Sequence, residues 1–132
     1  MALEVDIVTP DQAAVQVSCD EVVVPGLEGD IGLLPGHVPL LSALRPGVLS
    51  VRKEGKRTFY AVGAGFVQIE DDRVQVLTEA CDTPARIDLE ATKRSLADAE
   101  GHLKDLGPGD PRFFEFERSA ALARARIDAK SR

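Results

Sequence analysis

Apolar and polar positions alternate with a period of two along roughly the first two thirds of the chain. Over the last third they repeat near every 3.5 residues. Leu3, Val5 and Ile7 alternate with Glu4, Asp6 and Val8, which predicts a half-buried strand closed by Thr9-Pro10. Ala13 to Val17 alternates again, and Glu21 to Val24 predicts a short apolar strand running into a Pro25-Gly26 turn. Gly29 to Leu34 predicts a brief strand with Gly32 at its centre. Leu40, Leu41 and Leu44 then form a small apolar knot before the Arg45-Pro46-Gly47 turn. Two hairpins follow. Val48–Lys53 and Thr58–Val62 flank a glycine loop, and Phe66–Glu70 and Arg73–Thr78 flank Asp71-Asp72. In the second hairpin, Val67, Ile69, Val74 and Val76 alternate against neighbours expected to be polar. Eight or nine short strands without intervening helices predict an antiparallel β-sandwich or flattened barrel.

At about Asp82 the period lengthens. Leu89, Thr92, Leu96, Ala99, Leu103 and Leu106 fall 3, 4, 3, 4 and 3 residues apart, one stripe of a helix capped by Asp88. Gly107-Pro108-Gly109 stops it. Asp110-Pro111 then offers a cap followed by proline at the first helical position. Phe113, Phe116, Ala120, Ala123 and Ile127 repeat the spacing, so a C-terminal α-helical hairpin is expected. Its alanine-rich seam buries little area and predicts weak attachment to itself and to the sandwich. The division is therefore residues 1–84 as β-sandwich and 85–132 as helix-turn-helix.

Composition narrows the function. The 132 residues are 44% hydrophobic and 29% charged, ordinary for one domain with a real core. A net charge of −6 and the absence of Trp argue against general nucleic-acid binding. The charge is uneven. From Arg112 onward, six Lys/Arg stand against three Asp/Glu, a local +3 that leaves −9 on residues 1–111. Cys19 and Cys81 lack metal-ligand or C-x-x-C spacing and read as small buried side chains, with a disulfide or a catalytic thiol as the alternatives. No signal-peptide pattern and no run long enough to span a membrane is evident, so a soluble chain is expected.

The densest turn chemistry lies in Val22–Leu41, VVVPGLEGDIGLLPGHVPLL, with four of the eleven glycines, three of the eight prolines and His37. Glycine and proline restrict which turns can form, so this is a set of specified bends between strands. Those residues, the Gly65-Phe66-Val67-Gln68-Ile69 hairpin strand and a helix pair opening at Ile87-Asp88 resemble the ε subunit of bacterial F-type ATP synthase, in family order over nearly the whole chain.

The resemblance implies a non-catalytic rotor subunit without a cofactor, whose sandwich packs on a γ subunit. Its lower loops would meet the polar loops of the membrane c-ring through the matching positions Asp30 and His37. The plainer reading keeps these two as turn residues bonding nearby backbone. The resemblance further implies that the helix pair extends toward the α/β catalytic head and inhibits ATP hydrolysis, with Arg118, Arg124, Arg126 and Lys130 as the basic contacts. A merely solvated charged face is the alternative. It also implies a peripheral place on the cytoplasmic face of a bacterial plasma membrane.

Some family members bind ATP through an Ile/Leu-Asp-x-x-Arg-Ala motif. Ile87 and Asp88 match it, but Ala91 and Thr92 replace the arginine and alanine, so weak or absent ATP binding is expected. Arg86, Lys93 and Arg94 project elsewhere, because each helical residue turns the side chain by about 100°. No nucleophile or metal constellation supports an enzyme. The rival to the rotor reading is a free-standing sandwich that binds a ligand without catalysis.

Overall fold

The computed structural model describes residues 2–12 and 15–132. Among the described residues ten strands, β1 (Leu3–Val8), β2 (Val15–Cys19), β3 (Glu21–Gly26), β4 (Gly29–Leu33), β5 (Leu40–Leu44), β6 (Gly47–Lys53), β7 (Lys56–Val62), β8 (Gly65–Glu70), β9 (Arg73–Thr78) and β10 (Cys81–Asp82), are followed by α1 (Leu89–Asp105) and α2 (Pro111–Ser131). A 3-10 turn, Pro84–Arg86, links sheet to helices. The predicted β-sandwich with a C-terminal helix pair is what the chain forms. One ladder departs from the antiparallel expectation: β1 runs parallel to β9, with Val5 opposite Val74 and Ile7 opposite Val76.

The sheet folds over at β3. One edge of β3 pairs with β4 along Val22–Gly26. The other edge pairs with β6 from Glu21 to Val23 and then, at Gly26 alone, with Leu44 of β5. The strand therefore hands its edge from one layer to the other, as corner strands of sandwiches do. Pro25 lacks an N–H and suits the hand-over. A Cβ on Gly26 would lie 2.6 Å from the Gly29 carbonyl, so only glycine closes the β3–β4 bend. The expected Pro25-Gly26 turn is thus strand, and the turn falls at Leu27-Glu28. The leucine knot is also strand: Leu44 is buried, Leu40 half-buried and Leu41 exposed, because period-two geometry separates neighbours onto opposite faces. Of the strand expected at Ala13 to Val17, Ala13 and Ala14 lie outside the described residues.

Inward positions of both layers meet in one core: Leu3, Val5 and Ile7 of β1, Val22 and Val24 of β3, Leu49 and Val51 of β6, Val67 and Ile69 of β8, Val74 and Val76 of β9. The hairpin turns Glu54-Gly55 and Asp71-Asp72 hold positive φ at both central residues, the geometry that matches strand twist in two-residue loops.

The helices begin where the sequence places them. The Asp88 carboxylate accepts the Ala91 N–H at 3.1 Å, and the Asp110 carboxylate accepts the Arg112 N–H at 2.9 Å. Helix α2 lies between α1 and the sheet, packing on β6 and β7. It therefore needs two apolar faces. Ala120 and Ala123 belong to the predicted seam, while Ala125 and Ala129 pack with Ala61, Ile87 and Val48 against the sandwich. Leu96 is half-buried, well short of the full burial at which truncation costs most.

Candidate functional site

Asp30 and His37 stand at opposite ends of β4, which at about 3.3 Å per residue spans some 13 Å between its first and last residues. Each has its own neighbours. The Asp30 carboxylate, 62% exposed, accepts from the Arg45 guanidinium at 2.8 Å, and Arg45 also donates to the Gly26 carbonyl. Asp30, Arg45, Arg124, Asp128 and Arg132 line one cleft between the β3–β4 bend and α2. At the other end, the His37 N–H donates to the Leu34 carbonyl, and its Nδ1 lies 2.6 Å from the Val38 carbonyl. The Gly36 N–H donates to the Asp72 carboxylate at 2.7 Å, tying this turn to the β8–β9 turn. Two separately braced positions result, Asp30 near the start of the edge strand β4 and His37 in the turn beyond its end, rather than a paired carboxylate and imidazole.

The four basic residues singled out on α2 are all engaged within the chain. Arg118 pairs with Glu79 and Arg126 with Asp82, the latter at 2.8 Å. The Lys130 ammonium donates to the Pro84 carbonyl at 2.8 Å. Arg124 pairs with Glu100 of α1 at 3.1 Å. Three of the four hold α2 to the sandwich and the fourth holds α1 to α2. A stack of His102 on Phe116, with centroids 4.3 Å apart, adds to the α1–α2 contact. The helix pair here is folded down beside the sandwich.

Ile87 and Asp88 have structural occupations. Ile87 is buried against Ala61, Ala125 and Ala129, and the Asp88 carboxylate is spent on the cap. The position of the missing arginine, Ala91, presents only a methyl group. Cys19 and Cys81 are free and buried. Burial pushes the Cys81 thiol up to about 11, with the charge of Asp82 adding to the effect, and raises Cys19 as well. Both are therefore protonated and poor nucleophiles at neutral pH. Among the described residues no cluster of three or more His, Cys, Asp or Glu is placed to hold a metal, and no helix is long and apolar enough to cross a membrane.

One surface was missed from the sequence. Val8 of β1 lies opposite Leu77 of β9, Leu77 opposite Phe66 of β8, and Phe66 opposite Ala43 of β5. These four form an apolar row across the outer face, with Phe66 56% and Leu77 49% exposed. Leu41, also exposed, stands in the adjacent row opposite Gln68. The expectation of polar neighbours in the β8–β9 hairpin fails at Phe66 and Leu77. The signal was present as two large apolar residues at positions whose parity points away from the core. Glu79, Asp82 and Glu100 were missed too, because pairing across 24 to 44 residues leaves no local pattern.

Comparison with known proteins agrees with this architecture. The family model described as "ATP synthase, Delta/Epsilon chain, beta-sandwich domain" matches residues 2–83. The chain is 39% identical over 127 residues to the "ATP synthase epsilon chain" of Myxococcus xanthus, covering 96% of this chain and 93% of that one. It is 41% identical over 125 residues to that of Geotalea daltonii, covering 95% and 89%. It is 36% identical over 132 residues to that of Anaeromyxobacter dehalogenans, covering all of both. Among solved structures, a chain of the Euglena gracilis mitochondrial ATP synthase (OSCP/F1/c-ring, rotational state 1) superposes with a TM-score of 0.80 at 23% identity, covering 99% of this chain and 82% of that one. A chain of the Tetrahymena thermophila mitochondrial ATP synthase central stalk and c-ring gives a TM-score of 0.60 at 14% identity, covering 97% and 96%. At those identities the structural likeness speaks for the fold.

Proposed function

This chain belongs to the family of ATP synthase epsilon chains, non-catalytic subunits of the synthase, and from that premise we propose that it is a central-stalk rotor subunit coupling a γ subunit to the membrane c-ring. Residues 1–84 serve as the binding unit and residues 85–132 as a regulatory unit. The observation that carries the reading is the uncovered row Val8–Leu77–Phe66–Ala43. Monomeric proteins seldom expose large aligned side chains without a partner. The row also lies on a continuous hydrogen-bonded sheet face across β1, β9, β8 and β5, suited to bearing torque. A free-standing ligand-binding sandwich has no use for it, and that rival is set aside.

The γ subunit is the occupant of this face, and Asp30 and His37 are the contacts to the c-ring loops. The braces behind them, Arg45 for Asp30 and the Gly36–Asp72 bond beside His37, support a stiff contact. The helix pair restrains ATP hydrolysis when it leaves the sandwich and offers Arg118, Arg124, Arg126 and Lys130 to the catalytic head. The chain then sits peripherally on the cytoplasmic face of the bacterial plasma membrane, held there by the complex. Replacing Phe66 and Leu77 together with glutamate tests the premise, because both side chains already face water and the fold should survive. Co-purification with the γ subunit is expected to fall by at least tenfold. Undiminished recovery of the γ subunit with this variant would refute the assignment of that face.

A further inference from the structure

The contact between α2 and the sandwich has an unusual balance. Its apolar part is Ala125 and Ala129 against Ala61, Val48 and Ile87. Methyl groups bury little area and fix no particular register. The polar part is co-linear. Arg118, Arg126 and Lys130 meet Glu79, Asp82 and the Pro84 carbonyl in the same order along both segments. Twelve helical residues rise about 18 Å, and five extended residues span about 17 Å. Steps of eight and four residues keep the three bases on one flank of the helix. The match in order, length and charge is that of a docked strip.

Glu79 is seated for this task. Its side chain lies across Gly63, where an added Cβ would overlap its Cγ, and its carboxylate accepts the Ala64 N–H at 3.3 Å. That seat holds the carboxylate toward α2 before any base arrives. Asp82 is the more sheltered acid, its side chain 19% exposed.

We propose that Glu79–Pro84 is an electrostatic latch, an internal acidic strip that holds the basic flank of α2 and competes with any acidic partner for it. The inference deepens the regulatory reading above and rests on it for its biological meaning. The basic flank is then available to the catalytic head only after the strip has released it. Release follows from screening or from displacement by a stronger acidic surface. Surface ion pairs are individually weak, about 0.2–1 kcal/mol each, so two of them shift the docked population by roughly two- to thirtyfold. That is a range in which a partner can reverse the balance.

The test uses the full-length chain carrying spin labels at Lys56→Cys on the sheet and Glu117→Cys on α2, both exposed positions. The native thiols are buried and stay unlabelled. Pulsed dipolar distances are recorded between about 0.02 M and about 1 M salt, over which the screening length shrinks from roughly 20 to 3 Å. The latch predicts one short distance at low salt and a second, longer population at high salt. Glu79→Gln with Asp82→Asn should show the long population, at least threefold enriched, already at low salt, and little further response to salt. Exchanging the charges, Glu79→Arg with Arg118→Glu, should restore the short distance. Gly63→Ala, which unseats Glu79 without changing charge, should act in the same direction as the neutral variant. A distance unmoved by salt and by the neutral variant overturns the latch, and the salt arm needs no substitution that could unfold the chain. ATPase assays of the assembled synthase separate the two ideas. Displaced distances with unaltered ATPase refute the inhibitory reading, whereas unmoved distances refute the latch alone.

Discussion

At the scale of single residues, Asp30 and His37 carry the mechanical claim, and their different settings make separable predictions. Asp30 is largely exposed and pairs with an Arg45 that retains the Gly26 carbonyl as a second partner. Removing its carboxylate forfeits one surface pair, under about 1 kcal/mol, and leaves the bend intact. His37 is half-buried in a turn whose backbone bonds do not depend on the ring. Both single alanine variants should therefore fold and retain the γ subunit. In reconstituted synthase each should reduce proton pumping relative to ATP hydrolysed, and the double variant should reduce it more than either. Because the two sites lie at opposite ends of β4, their effects should be close to additive. Full coupling in the double variant would return both residues to the plainer role of closing turns.

At the scale of elements, the helix pair shows what a sequence does and does not disclose. Both caps and the 3, 4, 3, 4 seam are local patterns, and both helices start where those patterns put them. The second face of α2 is local as well, in alanines four apart at 121, 125 and 129, yet alanine is so common in helices that its spacing carries little information. Which acids the bases meet is not local at all. The same limit applies to Phe66 and Leu77. Their parity was readable, but an apolar outer row looks like an error in alternation until the strands are assembled. The putting-together of Ile87 and Asp88 gives a further consequence. One packs the α2 interface and the other caps α1, so both are explained without a nucleotide. With a methyl group at Ala91 in place of a planar guanidinium, no charged donor faces the phosphates from that turn. Calorimetric titration of the full chain with ATP should show no binding below about 100 µM. A low-micromolar dissociation constant would mean that other α2 arginines leave their acidic partners to bind it.

At the scale of the whole molecule, two cohesive regimes share one chain. The sandwich is closed by a continuous core drawn from both layers, whereas the helices rest on it through small side chains and exposed charges. The order of the ladders agrees with this division. The ties from helices to sheet are made on β6, β7 and the strip after β9, while the core draws side chains from all ten strands and none from either helix. Truncation after Pro84 should therefore leave a cooperative sandwich, its melting temperature lowered by a few degrees as Ala61 and Val48 meet water. The truncated chain keeps the Val8–Leu77–Phe66–Ala43 row and both ends of β4, so it should still join the γ subunit and couple the ring. It loses every basic residue proposed to restrain hydrolysis, so ATPase activity of the assembled complex should rise severalfold. The measurement is the ratio of ATPase rates with full-length and truncated chains at equal occupancy of the γ subunit. A ratio of one, with assembly intact, would leave the helix pair without a regulatory role and reduce its charged flank to a means of staying folded.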